Sequence, residues 1–273
     1  MKYKLIISDF DGTLFGRNRQ VNPKNIEAIK KFTERGGKFT VSTGRMNYSL
    51  RNWVKVLGIE DQDIPVMGYN GSYAVNKKGE IVVGNLLSHD TLDYILKTAE
   101  DLGVYSHFYD DKYVYIKEEN DINRNYRTLT DIVLYEVGDL RKYLRENPSL
   151  IVPKAMAVVD KKDLPRIKAE FDKAGVGRYR CFASDVNLID FATLTGGKDE
   201  GLKTLAHYFG VDISEVIAIG DSQNDAGMLK CAGLGVAVQN AWDEAKKSAD
   251  YITERTADEG AVAEVIEKFC LCD

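Results

Sequence analysis

Apolar residues in this chain alternate between short runs and helix-spaced stripes, and that alternation predicts the fold. Tyr3 to Ser8 is an apolar run ending in Asp9, Asp11 and Gly12, the pattern of a buried strand with charge at its C-terminal end. Asn22-Pro23 supplies an N-cap followed by Pro at the first helical position. Ile26, Ile29 and Phe32 follow at helical spacing, and Gly36-Gly37 closes the helix. Phe39 to Ser42 predicts a second strand, the residues around Trp53, Val54 and Leu57 a second helix, and Pro65 to Tyr69 a third strand ending at Asn70-Gly71. Strands alternating with helices predict a parallel sheet covered on both faces.

The texture changes after Ser72. Tyr73 to Val75 and Ile81 to Val83, joined by Asn76-Lys77-Lys78-Gly79, predict a β-hairpin. A helix follows over 90–102, then two aromatic-rich strands over 104–109 and 113–116. A polar helical stretch, a helix near 139–146, a strand over 154–159, a helix over 162–173 and strands over 179–183 and 187–191 complete a separate α/β unit with antiparallel pairing. From Thr195 the first pattern returns: helix 198–209, strand 215–219 ending at Gly220-Asp221, a helix from Asp225, strand 235–238 and a last helix over 261–269. The fold class read from this is α/β, a Rossmann-like parallel-sheet core with an inserted α/β domain. Residues 1–83 and 189–273 form the core, and 84–188 the insertion.

Composition narrows the function. The apolar fraction is 44 % and the charged fraction 29 %, values of an ordinary globular protein. The formal net charge of −5 argues against a nucleic-acid partner, which needs a basic surface. No apolar run approaches the ~18 residues of a membrane span, and the N-terminal run is too short and too polar for a signal peptide. A soluble, cytoplasmic protein with no membrane partner is expected. Cys181, Cys231, Cys270 and Cys272 form no C-x-x-C pair and read as plain thiols.

In open α/β sheets ligands bind beyond the carboxyl ends of the strands, and the polar residues collect there. Asp9 and Asp11, two residues apart, repel each other unless a hard cation relieves them. Mg2+ does so with one or two carboxylates. One carboxylate then suits attack on phosphorus, and the other suits transfer of the leaving-group proton. Ser42-Thr43-Gly44-Arg45, between a strand and a helix, offers a hydroxyl and backbone N–H groups to phosphate oxygens. Lys198 sits at a predicted helix start, where a cation opposes the dipole; taken alone it reads as a surface lysine. Gly220-Asp221-Ser222-Gln223-Asn224-Asp225 is an acidic turn able to complete a metal site or merely to cap a helix.

In order along the chain, D-F-D-G-T-L, S-T-G-R, the lysine of G-G-K and G-D-S-Q-N-D resemble the four motifs of the haloacid dehalogenase-like hydrolases. The insertion between the second and third, and Y-N-G after the third strand, resemble the Cof-type subfamily with a large α/β (C2B-type) cap. The resemblance implies a phosphoric monoester hydrolase with Mg2+ as cofactor, acting on small phosphorylated metabolites such as sugar phosphates, nucleotides or a phosphorylated cofactor. It implies Asp9 as nucleophile and metal ligand, forming an aspartyl phosphate. Asp11 is implied as general acid/base, binding metal through its backbone carbonyl. Asp221 is the third metal ligand, and Asp225 binds or orients the metal shell and Lys198. Phe10 (backbone), Thr43, Gly44, Lys198 and Asn224 contact the phosphate, with Arg45 and Asn70 behind the site or facing the substrate. Asp199 and Glu200 depart from the small residue common after the lysine. The insertion is implied to act as a cap, with Tyr105, Phe108, Tyr109, Tyr113 and Tyr115 as its aromatic candidates. About half of these should face its own core, because side chains alternate along a strand. A phosphomutase of the same superfamily and a non-catalytic phosphometabolite-binding regulator are the alternatives. A dinucleotide site is disfavoured, since no G-x-G-x-x-G follows the first strand.

Overall fold

The computed structural model describes residues 1–59, 64–130 and 132–272. In chain order the elements are β1 (Leu5–Ser8), α1 (Pro23–Glu34), β2 (Lys38–Val41), α2 (Asn47–Val56), β3 (Tyr73–Val75), β4 (Ile81–Gly84), α3 (His89–Asp101), β5 (Tyr105–Tyr109), β6 (Tyr113–Ile116) and α4 (Asp121–Thr130). Then follow β7 (Val133–Glu136), α5 (Leu140–Glu146), β8 (Lys154–Val158), α6 (Leu164–Gly175), β9 (Arg180–Asp185), β10 (Leu188–Ala192), α7 (Lys198–Tyr208), β11 (Val216–Gly220), α8 (Ala226–Cys231), β12 (Leu234–Ala237), α9 (Asp243–Lys246), β13 (Tyr251–Ile252) and α10 (Ala261–Phe269). They divide into two compact units. One holds Met1–Gly44, Leu50–Val83 and Gly197–Asp273; the other holds Arg45–Ser49 and Gly84–Gly196.

The first unit is built on a five-stranded sheet of order β13-β12-β11-β1-β2, with every pairing parallel. β1 and β11 are buried along their whole length, as central parallel strands must be when helices cover both faces. α1 begins as the sequence predicts: the Asn22 side chain accepts from the Lys24 N–H at 2.9 Å, with Pro23 in the first turn. Its apolar stripe, Ala28, Ile29 and Phe32, enters the core. The third strand expected at Pro65–Tyr69 shrinks to a single parallel bridge, Ser42 to Met67. Pro65 has no N–H to offer a ladder, and the chain turns at Tyr69–Gly71. The pattern did not reveal β13, which has two residues, or the exposed edge strand β7. Neither buries enough apolar surface to leave a periodic signal.

The second unit carries a six-stranded sheet of order β7-β6-β5-β8-β10-β9, antiparallel except for β6–β7. β10 pairs with both β8 and β9, so the chain stays in this unit to Gly196, several residues past the expected boundary at 188. One face packs Phe108, Tyr115, Ala155, Ala157, Ile189 and Phe191 against α3, α5 and α6. Phe108 and Tyr115 stack at 4.9 Å within this core. The alternate residues lie on the other face, and there a buried polar row crosses three strands. His107 Nε2 meets the Tyr109 hydroxyl at 2.7 Å, the Lys154 ammonium lies 5.3 Å from the Tyr109 ring centroid, and Lys154 pairs with Asp190 at 2.9 Å. Both members of that ion pair are almost wholly buried. Among the described residues no helix is long and apolar enough to cross a membrane.

Burial, assisted by the Lys154 charge, holds the His107 imidazole neutral and pushes its pKa down to about 3. In the unfolded chain the same ring titrates near its ordinary value of about 6.5. Between those values the unfolded state binds the extra proton, so this contribution to stability is present above about pH 6.5 and is lost as pH falls. From pH 7 to pH 5 the loss attributable to this group is about 2 kcal/mol. Urea unfolding at the two pH values should show it, and His107→Gln should reduce the pH dependence by about that amount. An unchanged dependence in the variant would refute the assignment.

Candidate active site

In the central sheet Ser8 lies opposite Ile219 on one side and Val41 on the other. Asp9, Ser42-Thr43 and Gly220-Asp221 therefore leave three adjacent strands at one edge. Backbone hydrogen bonds carry the register onward: Asp9 N donates to Ile219 O at 2.7 Å and Ser42 N to Ser8 O at 2.8 Å. The Phe10 ring turns into the core, stacked on Phe15 at 5.1 Å, which leaves its backbone at the edge. At Gly12 the chain adopts φ +84°, and a Cβ there would collide with the Asp221 carboxylate. Only glycine satisfies both conditions.

Lys198, the first residue of α7, is buried to its tip. Its Nζ donates to Asp9 Oδ1 at 2.5 Å and to Asp225 Oδ1 at 2.6 Å. The surface reading of this lysine is therefore excluded. The cation at a helix start is offset by Asp199 and Glu200 in the same first turn, which favour the positive end of the dipole. The Asp199 side chain lies against Gly227 in α8. The acidic residues after the lysine thus serve the helix.

Asp225 Oδ2 accepts the backbone N–H groups of Asp221 and Ser222, each at 3.0 Å. This bracing holds the acidic turn against the end of β11. Asp221 Oδ1 accepts from the Thr13 hydroxyl at 3.2 Å. Asn224 Nδ2 donates to Asn70 Oδ1 at 2.9 Å, and Asn224 Oδ1 accepts from the Ser222 hydroxyl at 2.5 Å. Thr43 and Asn70 are buried, and Asn70 N donates to Thr43 O at 2.8 Å. Asp9, Phe10, Thr43, Gly44, Asn70, Lys198, Asp221, Asn224 and Asp225 all belong to the first unit, as does Asp11, which is exposed. Arg45 groups with the second unit.

Two further residues shape the loop. Asn240 Nδ2 donates to Gly12 O at 2.8 Å while its Oδ1 accepts from Ala257 N, and Trp242 N donates to Asp221 O at 2.7 Å. Sequence reasoning passed over both. Asn240 follows the end of β12, so the strand-end rule that singled out Asp9 and Asp221 would have found it.

Carboxylate oxygens of Asp9, Asp221 and Asp225 lie within 4.8 Å of one another. Burial raises the pKa of Asp9; Lys198 opposes this, and Asp225 and Asp11 add to it. Asp221 is raised by burial and by the charges of Asp9 and Asp225. Burial disfavours the Lys198 ammonium, but Asp225 and Asp9 outweigh it, so the lysine stays cationic with its pKa raised. A set of oxygen donors carrying surplus negative charge suits a hard divalent cation such as Mg2+. Both oxygens of Asp225 already accept hydrogen bonds, which leaves Asp9 and Asp221 as the better placed ligands.

Raised folded-state values mean that Asp9 and Asp221 bind protons more tightly folded than unfolded. Their stabilisation of the cation-free fold is complete below the ordinary value of about 3.9 and is lost as pH rises through the raised values. A divalent cation replaces those protons, so its effect should grow with pH. The melting temperature in Mg2+ minus that in EDTA should be larger at pH 8 than at pH 5.5. A difference that shrinks with rising pH would contradict this account of the site.

The chain is similar to known proteins over nearly its whole length. The profile of the haloacid dehalogenase-like hydrolase family matches residues 6–266. A hydrolase of Schizosaccharomyces pombe is 30 % identical over 277 residues, covering 97 % of this chain and 90 % of that protein. A 5-amino-6-(5-phospho-D-ribitylamino)uracil phosphatase of Bacillus subtilis is 26 % identical over 295 residues, covering 97 % of each chain. The crystal structure of a haloacid dehalogenase-like hydrolase from Bacteroides thetaiotaomicron superposes with a TM-score of 0.83 at 29 % identity, covering 97 % of this chain and 99 % of that one. The matched span includes every residue of the site described above, and the chain belongs to the haloacid dehalogenase-like hydrolases.

Proposed function

We propose that this chain is a Mg2+-dependent phosphatase that hydrolyses small phosphate monoesters through an aspartyl phosphate on Asp9. The observation that carries the reading is the buried Lys198 clamped between Asp9 and Asp225 beside Asp221. A carboxylate held by a fixed cation in a dry site is oriented for attack. The charge that develops on a phosphoryl group there also meets the same cation. A bound divalent ion, held by Asp9, Asp221 and the backbone carbonyl of Asp11, would neutralise phosphate oxygens. Asp225 braces Lys198 and the acidic turn. Thr43, Gly44, Asn224 and the Phe10 backbone would hold the remaining phosphate oxygens.

The two neighbouring acids sit in different surroundings, and this suits different tasks. Asp9 is buried against Lys198, whereas Asp11 is exposed. In the first step an Asp9 oxygen forms a bond to phosphorus and the ester P–O bond breaks. The proton of Asp11 passes to the departing alkoxide. In the second step water attacks the acyl phosphate, its proton returns to Asp11, and inorganic phosphate leaves with Asp9 regenerated. The substrate class is a small polar monoester, the class to which the named substrate of the Bacillus subtilis relative also belongs.

Asp9→Asn should abolish turnover and the covalent phosphoenzyme, and EDTA should stop the parent enzyme. Asp11→Asn should lose about 10²–10⁴-fold on an alkyl phosphate and less on an aryl phosphate, whose leaving group needs little protonation. Phosphate release from both esters checks this. A defect in Asp11→Asn that is the same for the two esters would contradict the proton-transfer role. Stoichiometric phosphate release also separates a phosphatase from a mutase, and any turnover separates it from a binding regulator.

We assign choice of substrate to the inserted segment, taken as residues 84–188, since every reacting group named above lies in the flanking segments. Exchanging the inserted unit, Gly84–Gly196, for its counterpart in a relative should carry the relative's preferences with it in a phosphate-ester panel. Preferences that stay with the flanking segments would overturn this assignment.

A further inference from the structure

The turn Tyr69-Asn70-Gly71 is strained. Tyr69 and Asn70 have φ of 53° and 56°, and Gly71 has φ of 78°, three consecutive residues in the left-handed region. Asparagine tolerates that conformation better than most residues, but a tyrosine beside it does not, and such strain persists only where the surroundings impose it. Here the surroundings are three segments of the site. The Asn70 N–H donates to Thr43 O at 2.8 Å. At Gly71 an added Cβ would lie 2.7 Å from Gly197 O and 2.8 Å from the Lys198 Cα, so this backbone packs directly on the residues that begin α7. Asn70 Oδ1 accepts from Asn224 Nδ2 at 2.9 Å.

The last of these bonds sets a direction. A side-chain amide has one acceptor oxygen and two N–H donors. The Asn224 oxygen takes the Ser222 hydroxyl and one of its N–H groups is taken by Asn70. Those two partners fix which way the amide faces, and its second N–H is the donor that remains for an anion. Without Asn70 the amide could rotate and present its oxygen to a phosphate, which would repel it.

We propose that Asn70 is a positioning residue: its left-handed backbone and its side-chain oxygen hold Asn224 in the one orientation that donates to the substrate's phosphoryl oxygens. This rests on the phosphatase reading above. It makes the Y-N-G turn the piece that aligns the S-T-G segment, the start of α7 and the acidic turn to one another.

The test uses the full-length chain with p-nitrophenyl phosphate in Mg2+, and inorganic phosphate as product inhibitor. Asn70→Gly keeps the left-handed backbone accessible and removes the side-chain amide, its acceptor for Asn224 included. It should retain the parent melting temperature to within a few degrees. It should lower kcat/KM by about tenfold or more and weaken inhibition by phosphate in parallel, the effect of losing one hydrogen bond to an anion. Asn70→Asp keeps an acceptor for Asn224 but adds a charge, so it should restore the amide while raising KM through repulsion. In an Asn224→Ala background, Asn70→Gly should cost little further, because the two act through one contact. Parent-like kcat/KM and phosphate inhibition in Asn70→Gly, or losses that multiply independently in the double variant, would overturn the positioning role while leaving the phosphatase reading intact. If Asn70→Gly unfolds, Asn70→Asp supplies the measurement: parent-like kcat with a raised KM supports the positioning role, and a loss of kcat as large as that of Asn224→Ala overturns it. No turnover by the parent on any ester would overturn the reading and this inference together.

Discussion

The site depends on one buried ammonium. Lys198 has no exposed side-chain surface, and it lies against Asp9 and Asp225. Taking a lysine and two carboxylates out of water costs several kcal/mol per ion, and the mutual attraction repays this only when geometry and further hydrogen bonds are good. Here they are: Asp225 also takes two backbone N–H groups of the turn that bears Asp221. The ion pairs thus join the start of α7, the end of β1 and the end of β11. Removing one member would leave a buried charge unpaired, typically about 3–5 kcal/mol of destabilisation. On the proposed phosphatase reading, stability and chemistry rest on the same atoms.

The cluster is also deliberately incomplete. Three carboxylates share one lysine, and burial together with mutual repulsion makes Asp9 and Asp221 hold protons above the usual carboxylate range. Such an arrangement is poor as pure structure and suitable for receiving a cation and then an anion. On the phosphatase reading it is a local sacrifice of stability at the reacting site. Strain at Tyr69 and Asn70 belongs to the same economy of the site, since relaxing it would release the contacts to Thr43, α7 and Asn224.

The inserted unit solves a different problem. Its helix-covered face is an ordinary apolar core, whereas the alternate residues of the same strands carry His107, Tyr109, Lys154 and Asp190 in a buried row. Period-two alternation explains how a single sheet carries both. It also explains why the aromatic candidates divide: Phe108 and Tyr115 fill the core, while Tyr109 faces the polar row.

Much of this was legible in the sequence because it is local. Apolar runs ending in Asp9, in Ser42 and in Gly220-Asp221 marked strands whose carboxyl ends meet, since parallel strands in register must present those ends together. Asn22-Pro23 marked a helix start for the same local reason. What depended on distant partners was not legible. Lys198 by itself reads as a surface residue, and only the packing of α7 against α8, the Tyr69–Gly71 turn and the segments that carry Asp9 and Asp225 buries it. Asn240 reaches Gly12 across 228 positions of sequence. Pro65–Tyr69 looked like a strand by its apolar content, yet it makes only isolated bridges, Met67 to Ser42 and Gly68 to Tyr73. The left-handed turn at Asn70 is imposed by neighbours on three other segments. Periodicity reports which face of an element is apolar; which buried charges find one another is decided only when the elements pack.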